Sequence, residues 1–156
     1  MEKIVTAYSR QEWSALDVLR LPETLVTAED KLELVLRRGL IDAPILHEFA
    51  CRCAERALSR IDNPDTCSVA AIAVKRAWLR GEITNDQLES ARDAAYWAAY
   101  AIANDAAYLA AYGAAYYDAK YAAYWAADCD AKAANDKGTE LAWQVETLIQ
   151  MLEDDA

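Results

Sequence analysis

From Ala94 to Ala133 the chain reads as ten consecutive tetrads: AAYW, AAYA, IAND, AAYL, AAYG, AAYY, DAKY, AAYW, AADC and DAKA. Ala holds the second position every time, at 95, 99, 103, 107, 111, 115, 119, 123, 127 and 131, and Tyr holds the third in six of the ten. Ala is the best helix former, because it loses no side-chain entropy and adds no bulk. A stretch this rich in Ala and free of Pro is helical whatever its neighbours do. Adjacent small residues let another backbone come close, and the aromatic that follows covers the neighbouring gap.

The period constrains the fold more than the composition does. An α-helix turns once in about 3.6 residues, so a repeat of four drifts by roughly 40° per tetrad. The drift runs in the right-handed sense, opposite to a heptad coiled coil. No single partner helix can follow such a stripe along its length. The segment is therefore either surrounded on all sides or broken into shorter helices. Length favours a break, since forty residues at about 1.5 Å each would span roughly 60 Å. The expected break points are Asn104-Asp105, whose side chains can cap a new helix, and Gly113, with Asn104-Asp105 the stronger.

The flanking sequence carries helix punctuation. Ser9-x-x-Glu12 has the capping-box pattern and opens a helix with Trp13, Leu16 and Leu19, stopped before Pro22. Thr27 with Asp30 caps the next, which ends near Gly39. Asp42-Ala43-Pro44 starts a helix to about Ile61, with Leu46, Phe49, Ala50, Cys53, Ala57 and Ile61 on one stripe. Asn63-Pro64 starts another, closed by Gly81, and Thr84-x-x-Gln87 launches the helix that enters the tetrads. After a turn at 135–138, Thr139 caps a last helix carrying Leu141, Val145, Leu148 and Leu152, and the tail Glu153-Asp154-Asp155 frays. No strand alternation of useful length occurs. The expected fold is all-α: one compact domain, residues 1–156, of six to eight helices.

The chain has 16 basic and 26 acidic residues, a net charge of −10. Residues 91–156 hold only Arg92, Lys120, Lys132 and Lys137 as cations. That acidic half argues against binding a phosphate backbone, which needs clustered Lys and Arg. It permits a basic protein partner or mimicry of nucleic acid, or serves solubility. No run approaches the roughly 20 apolar residues of a membrane span. Four Cys without an apolar leader read as reduced thiols in a cytoplasmic protein.

The middle of the chain resembles an immunity protein family of bacterial genomes and phages. The resemblance covers roughly residues 46–134. It rests on Phe49, Ala50, Cys53, Ala54 and Leu58, on Ala71, Ile72, Val74, Gly81, Glu82 and Thr84, and on the Ala/aromatic tetrads that follow. This chain carries Tyr where many members carry Trp or Arg. The resemblance implies a role in neutralising a toxin or in phage–host conflict, with no catalytic residues to transfer.

Candidate chemistry is sparse. His47 and Cys51 are four apart and share a helix face, a metal half-site that Cys67 or Cys129 would have to complete. Cys53 lies about 200° from Cys51 on a helix, so the three cannot bind one ion, and the spacing matches no standard zinc motif. A His47–Cys51 nucleophilic pair lacks an orienting Asn or Asp. Asp118, Asp128 and Asp130 are available as paired carboxylates, but general acid–base work needs a pocket, which the sequence does not show. Glu48 with Arg52, at i,i+4, is a structural helix pair, as is Asp128 with Lys132. No catalytic, metal or cofactor residue is assigned.

Tyr is the informative residue. Eight of the nine fall between 96 and 124, and a winding stripe forces some of their rings out of the core. Tyr combines an apolar body with a polar tip and is enriched at interfaces. Tyr116, Tyr117 and Tyr121 with Asp118 form the expected partner-binding patch. The function read from the sequence is a non-enzymatic helical protein that sequesters or inhibits a protein partner. Self-association through the Ala/Tyr stripe is the second reading, and an enzyme or metal protein the third.

Overall fold

The computed structural model describes residues 12–37, 39–101, 106–115, 119–132 and 137–156, with backbone alone at 98–101, 106–108, 119 and 129–132. Among them are eight helices and no strand: α1 (Ala15–Leu19), α2 (Ala28–Val35), α3 (Ala43–Leu58), α4 (Thr66–Leu79), α5 (Asn85–Ala101), α6 (Ala106–Ala115), α7 (Ala119–Lys132) and α8 (Lys137–Asp155). The all-α expectation holds. The tetrad stretch is divided among α5, α6 and α7. The first division brackets Asn104-Asp105, which lies outside the described residues. A second, unforeseen one separates Ala115 from Ala119.

Breaking the stripe keeps it facing inward. In α6 and α7 the first two positions of the tetrads, Ala110-Ala111, Ala114-Ala115, Ala122-Ala123 and Ala126-Ala127, are all buried. At about 40° of drift per tetrad, two or three tetrads turn the pair by only about 100°. A short helix can hold that arc against its neighbours. α6 packs on α3, α4, α5 and α7, and α7 packs on α3 and α8 as well. The facing surface of α3 is equally small: Ala50, Cys53, Ala54 and Ala57 are buried beside Phe49. Ala71 of α4, Ala95 of α5 and Ala115 of α6 form a separate buried cluster.

Gly113 is not a break. It lies inside α6 and is buried, and its missing side chain is what admits α7. A Cβ there would stand 2.6 Å from Tyr121 Cδ1, 3.1 Å from the Ala122 nitrogen and 3.4 Å from Ala122 Cα. The propensity cost of a helical Gly is thus offset by backbone contact between α6 and α7.

Several helix starts differ from the sequence reading. Ser9 lies outside the described residues, and Trp13 precedes α1. The cap is Ser14: its N–H donates to Asp17 Oδ2 at 2.9 Å, and the Asp17 N–H donates to Ser14 Oγ at 3.2 Å. Asp stands here where the capping-box rule looks for Glu or Gln. At α4 the cap is Asp65 rather than Asn63-Pro64. Asn63 takes a left-handed conformation, φ +54°, that turns the chain, and Asp65 Oδ1 accepts from the Cys67 and Ser68 N–H groups at 2.8 and 3.1 Å. Thr139 lies within α8, which also runs through Asp155, with Glu153 paired to Arg20. α3 stops at Leu58, short of Ile61. The Thr27 and Thr84 caps form as expected.

One ionic strut crosses the core. Glu140 of α8 is fully buried and accepts from Arg56 Nε at 2.6 Å and Arg60 Nη2 at 3.5 Å, both near the C-terminal end of the α3 segment. Gln144 Nε2 donates to Glu140 Oε1 at 3.1 Å and to the Ala123 carbonyl at 3.0 Å, which joins α8 to α7. The Arg56 guanidinium lies over the Trp143 ring, 4.4 Å from its centroid. A buried carboxylate is tolerable only when so paired.

Gly113→Ala tests the close approach of α6 and α7. In a solvent-facing helix the change is stabilising by about 1 kcal/mol. Here overpacking, at about 1–3 kcal/mol, outweighs that gain, and the expected result is a net loss of stability in denaturant unfolding. A Gly113→Ala protein more stable than the parent would contradict the contact.

Candidate functional site

Burial of the Ala pair decides where the aromatics go. In α6 and α7, with the first two tetrad positions inward, the third points away and the fourth sits at the boundary; on α5 only the second position, Ala95, is buried and Ala94 is exposed. Tyr96 and Tyr124 hold third positions and are 43% and 57% exposed; Trp97, fourth in its tetrad, is 63% exposed. At Tyr112 the third position is half-buried, because α5 leans on it: the Tyr96 and Tyr112 rings are 5.3 Å apart. Trp97 meets Tyr96 edge-on at 5.5 Å. A chain of rings thus runs from half-buried Tyr112 through Tyr96 to the exposed indole. On α7, Tyr124 contacts Trp125 at 5.2 Å and Tyr121 contacts it at 5.8 Å.

The patch expected from the sequence is only partly visible. Tyr116, Tyr117 and Asp118 lie outside the described residues. Tyr121 is half-buried, pressed against Gly113 and Trp125. The exposed rings among the described residues are instead Tyr96, Trp97 and Tyr124. Tetrad phase is the signal that identifies Tyr124: its third position lies opposite the buried pair Ala122-Ala123.

The surroundings are acidic. Asp93 stands four residues before Trp97, and Asp128 four after Tyr124, each on the same helix face. Arg92 donates to Glu89 and Asp93 at 3.1 and 3.3 Å.

The His47/Cys51 pair sits elsewhere, between α3 and α4. Cys51 and Cys53 are both buried although they point to different sides of α3, because α3 is packed by α4, α6, α7 and α8. Burial pushes the Cys51 thiol up to about 12 and the Cys53 thiol well above its ordinary range. Nucleophilic and ligating cysteines need the thiolate, which this environment disfavours. Cys67 is exposed, and the Cys129 side chain lies outside the described residues. No group of three His, Cys, Asp or Glu able to hold a metal occurs among the described residues.

His47 packs edge-on against Trp78 at 5.8 Å, and the Lys75 ammonium lies 4.5 Å from the same ring. Burial, then the charge of Lys75, brings the His47 pKa down from 6.5 to about 4. Burial likewise lowers Lys75 from 10.5 to about 8. The Glu48–Arg52 pair forms at 3.2 Å, and Arg76 joins it, bonding Glu48 at 3.0 Å and Glu55 at 2.9 Å. Burial works to raise the Glu48 pKa, but the Arg76 and Arg52 bonds hold it below the usual range. These groups tie α3 to α4.

No family model matches the chain, no curated protein matches it, and no solved structure matches it. Among the described residues no helix is long and apolar enough to cross a membrane.

The His47 shift fixes a pH dependence. Its folded pKa lies below its unfolded value, so the unfolded chain binds the proton first. Its contribution is fully present above 6.5 and is lost as pH falls through 4. His47→Gln should flatten the decline in unfolding free energy over that window. An unchanged slope would show that His47 is not the group responsible.

Proposed function

We propose that this chain is a non-enzymatic helical binding protein that sequesters or inhibits a protein partner through the aromatic face of α5. The single observation that carries this reading is the 63% exposure of Trp97, held against Tyr96. Trp and Tyr dominate binding energy at interfaces, offering large contact area at little entropy cost. A ring fixed in the free protein has less freedom to lose on binding. The net charge of −10 and the acidic residues beside the rings suit a partner that presents basic and apolar groups. The protonated thiols and the depressed His47 favour binding over catalysis. The resemblance of residues 46–134 to immunity proteins supports toxin immunity or phage–host conflict as the setting.

The test is affinity measurement of a co-purifying partner against Trp97→Ser and Tyr96→Ser. Trp97→Ser should weaken binding by more than about 2 kcal/mol, the hot-spot threshold, with helix content and melting temperature little changed. Added salt should weaken binding further, since surface charge is screened. Unchanged affinity in both variants would refute the face. A Trp97-dependent dimer in light scattering would reassign it to self-association.

A further inference from the structure

We propose that Asp93 and Trp97 of α5 form a binding site for one arginine side chain of a protein partner, the guanidinium lying on the exposed indole while its N–H groups donate to the Asp93 carboxylate. The proposal rests on the reading of α5 as the binding face and names the group that face recognises.

The protein builds the same clasp once within itself. On α8, Glu140 and Trp143 stand three residues apart and hold Arg56 together. Arg56 Nε donates to Glu140 Oε2 at 2.6 Å, and the guanidinium lies 4.4 Å from the centroid of the Trp143 ring. A guanidinium does both at once because it is planar: its edge bonds a carboxylate while its face covers a ring. Helix side chains lean toward the N-terminus, so an indole lies back over the turn that precedes it. A carboxylate three or four residues earlier therefore stands beside that indole. Asp93 is four residues before Trp97, and the same rule brings the two together on α5.

On α5 both halves of the clasp are open. Trp97 is 63% exposed. The two faces make up most of an indole's area, so an exposure this large includes ring face and not edge alone. The Asp93 side chain is 61% exposed. Arg92 donates to it, but only to Oδ1, at 3.3 Å from both Nε and Nη2, and Nη2 is shared with Glu89. Oδ2 accepts no hydrogen bond among the described residues. Arg92 also lies about 140° round the helix from Trp97, at ~100° per residue. The arginine that completes this clasp therefore comes from outside. A lysine is a poorer fit, because its compact, strongly hydrated ammonium cannot lie flat on the ring and present a fork to the carboxylate.

The probes are the tripeptide acetyl-Gly-Arg-Gly-amide and its lysine and citrulline counterparts. Citrulline keeps the shape of arginine without the charge. Each is titrated into the full chain and followed by ¹H–¹⁵N NMR at the Trp97 indole N–H and at the Asp93 and Ala94 backbone amides. The arginine peptide should give saturable shifts there and bind at least about fivefold more tightly than the citrulline peptide. The lysine peptide, of equal charge, should bind at least about threefold more weakly than the arginine peptide. Asp93→Asn and Trp97→Leu, both at exposed positions, should each remove the preference for arginine over lysine. Equal affinities for arginine and lysine, or a preference that survives both variants, would overturn the proposal. If a co-purifying partner loses affinity on Trp97→Ser while the peptides show no arginine preference, the aromatic face stands and the arginine site falls.

Discussion

The fold depends on the close approach that paired alanines permit. In α6 and α7 Ala110, Ala111, Ala114, Ala122, Ala123 and Ala126 share one core with Ala50, Cys53, Ala54 and Ala57 of α3. Gly113 takes the approach further, to direct contact with the backbone of α7 at Ala122. Interiors are packed like organic crystals, so such surfaces have no spare volume. Large rings cannot share that seam, and the tetrad sends them outward. The exposed ring of Tyr124 is therefore a consequence of the core.

An all-small seam gives little directional information, and polar links supply it. Glu140 and Gln144 of α8 fix that helix against Arg56, Arg60 and the Ala123 carbonyl. Arg76 does the same between α3 and α4 through Glu48 and Glu55. The buried Glu140 pairs add little net stability, but they are costly to misplace, and so they set how α8 sits on its neighbours.

The fold class, the helix count and the caps at Thr27 and Thr84 were legible from local sequence, because Ala content and capping geometry act within a few residues. Gly113 was misread, since a Gly inside a helix looks like a weakness until the partner backbone is in place. Ser14, with Asp17 completing its capping box, and Asp65 cap their helices where a narrower rule points elsewhere. The inward role of Glu140 was invisible, because its partners lie some eighty residues away. That some Tyr rings must leave the core followed from the period. Which ones they are depended on where α5, α6 and α7 divide, and that is a tertiary outcome. Tyr116, Tyr117 and Asp118 lie outside the described residues.

The claim that most of the structure hangs on is that the Ala pair is a contact surface. Equilibrium unfolding of Ala111→Leu beside Ala94→Leu tests it most directly. Both change a tetrad Ala to Leu, but Ala111 is buried and Ala94 is exposed. The expected loss is about 1–3 kcal/mol at Ala111, from overpacking, and within about 0.5 kcal/mol of zero at Ala94, as for surface positions generally. Equal effects at the two positions, or a gain in stability from Ala111→Leu, would contradict the account.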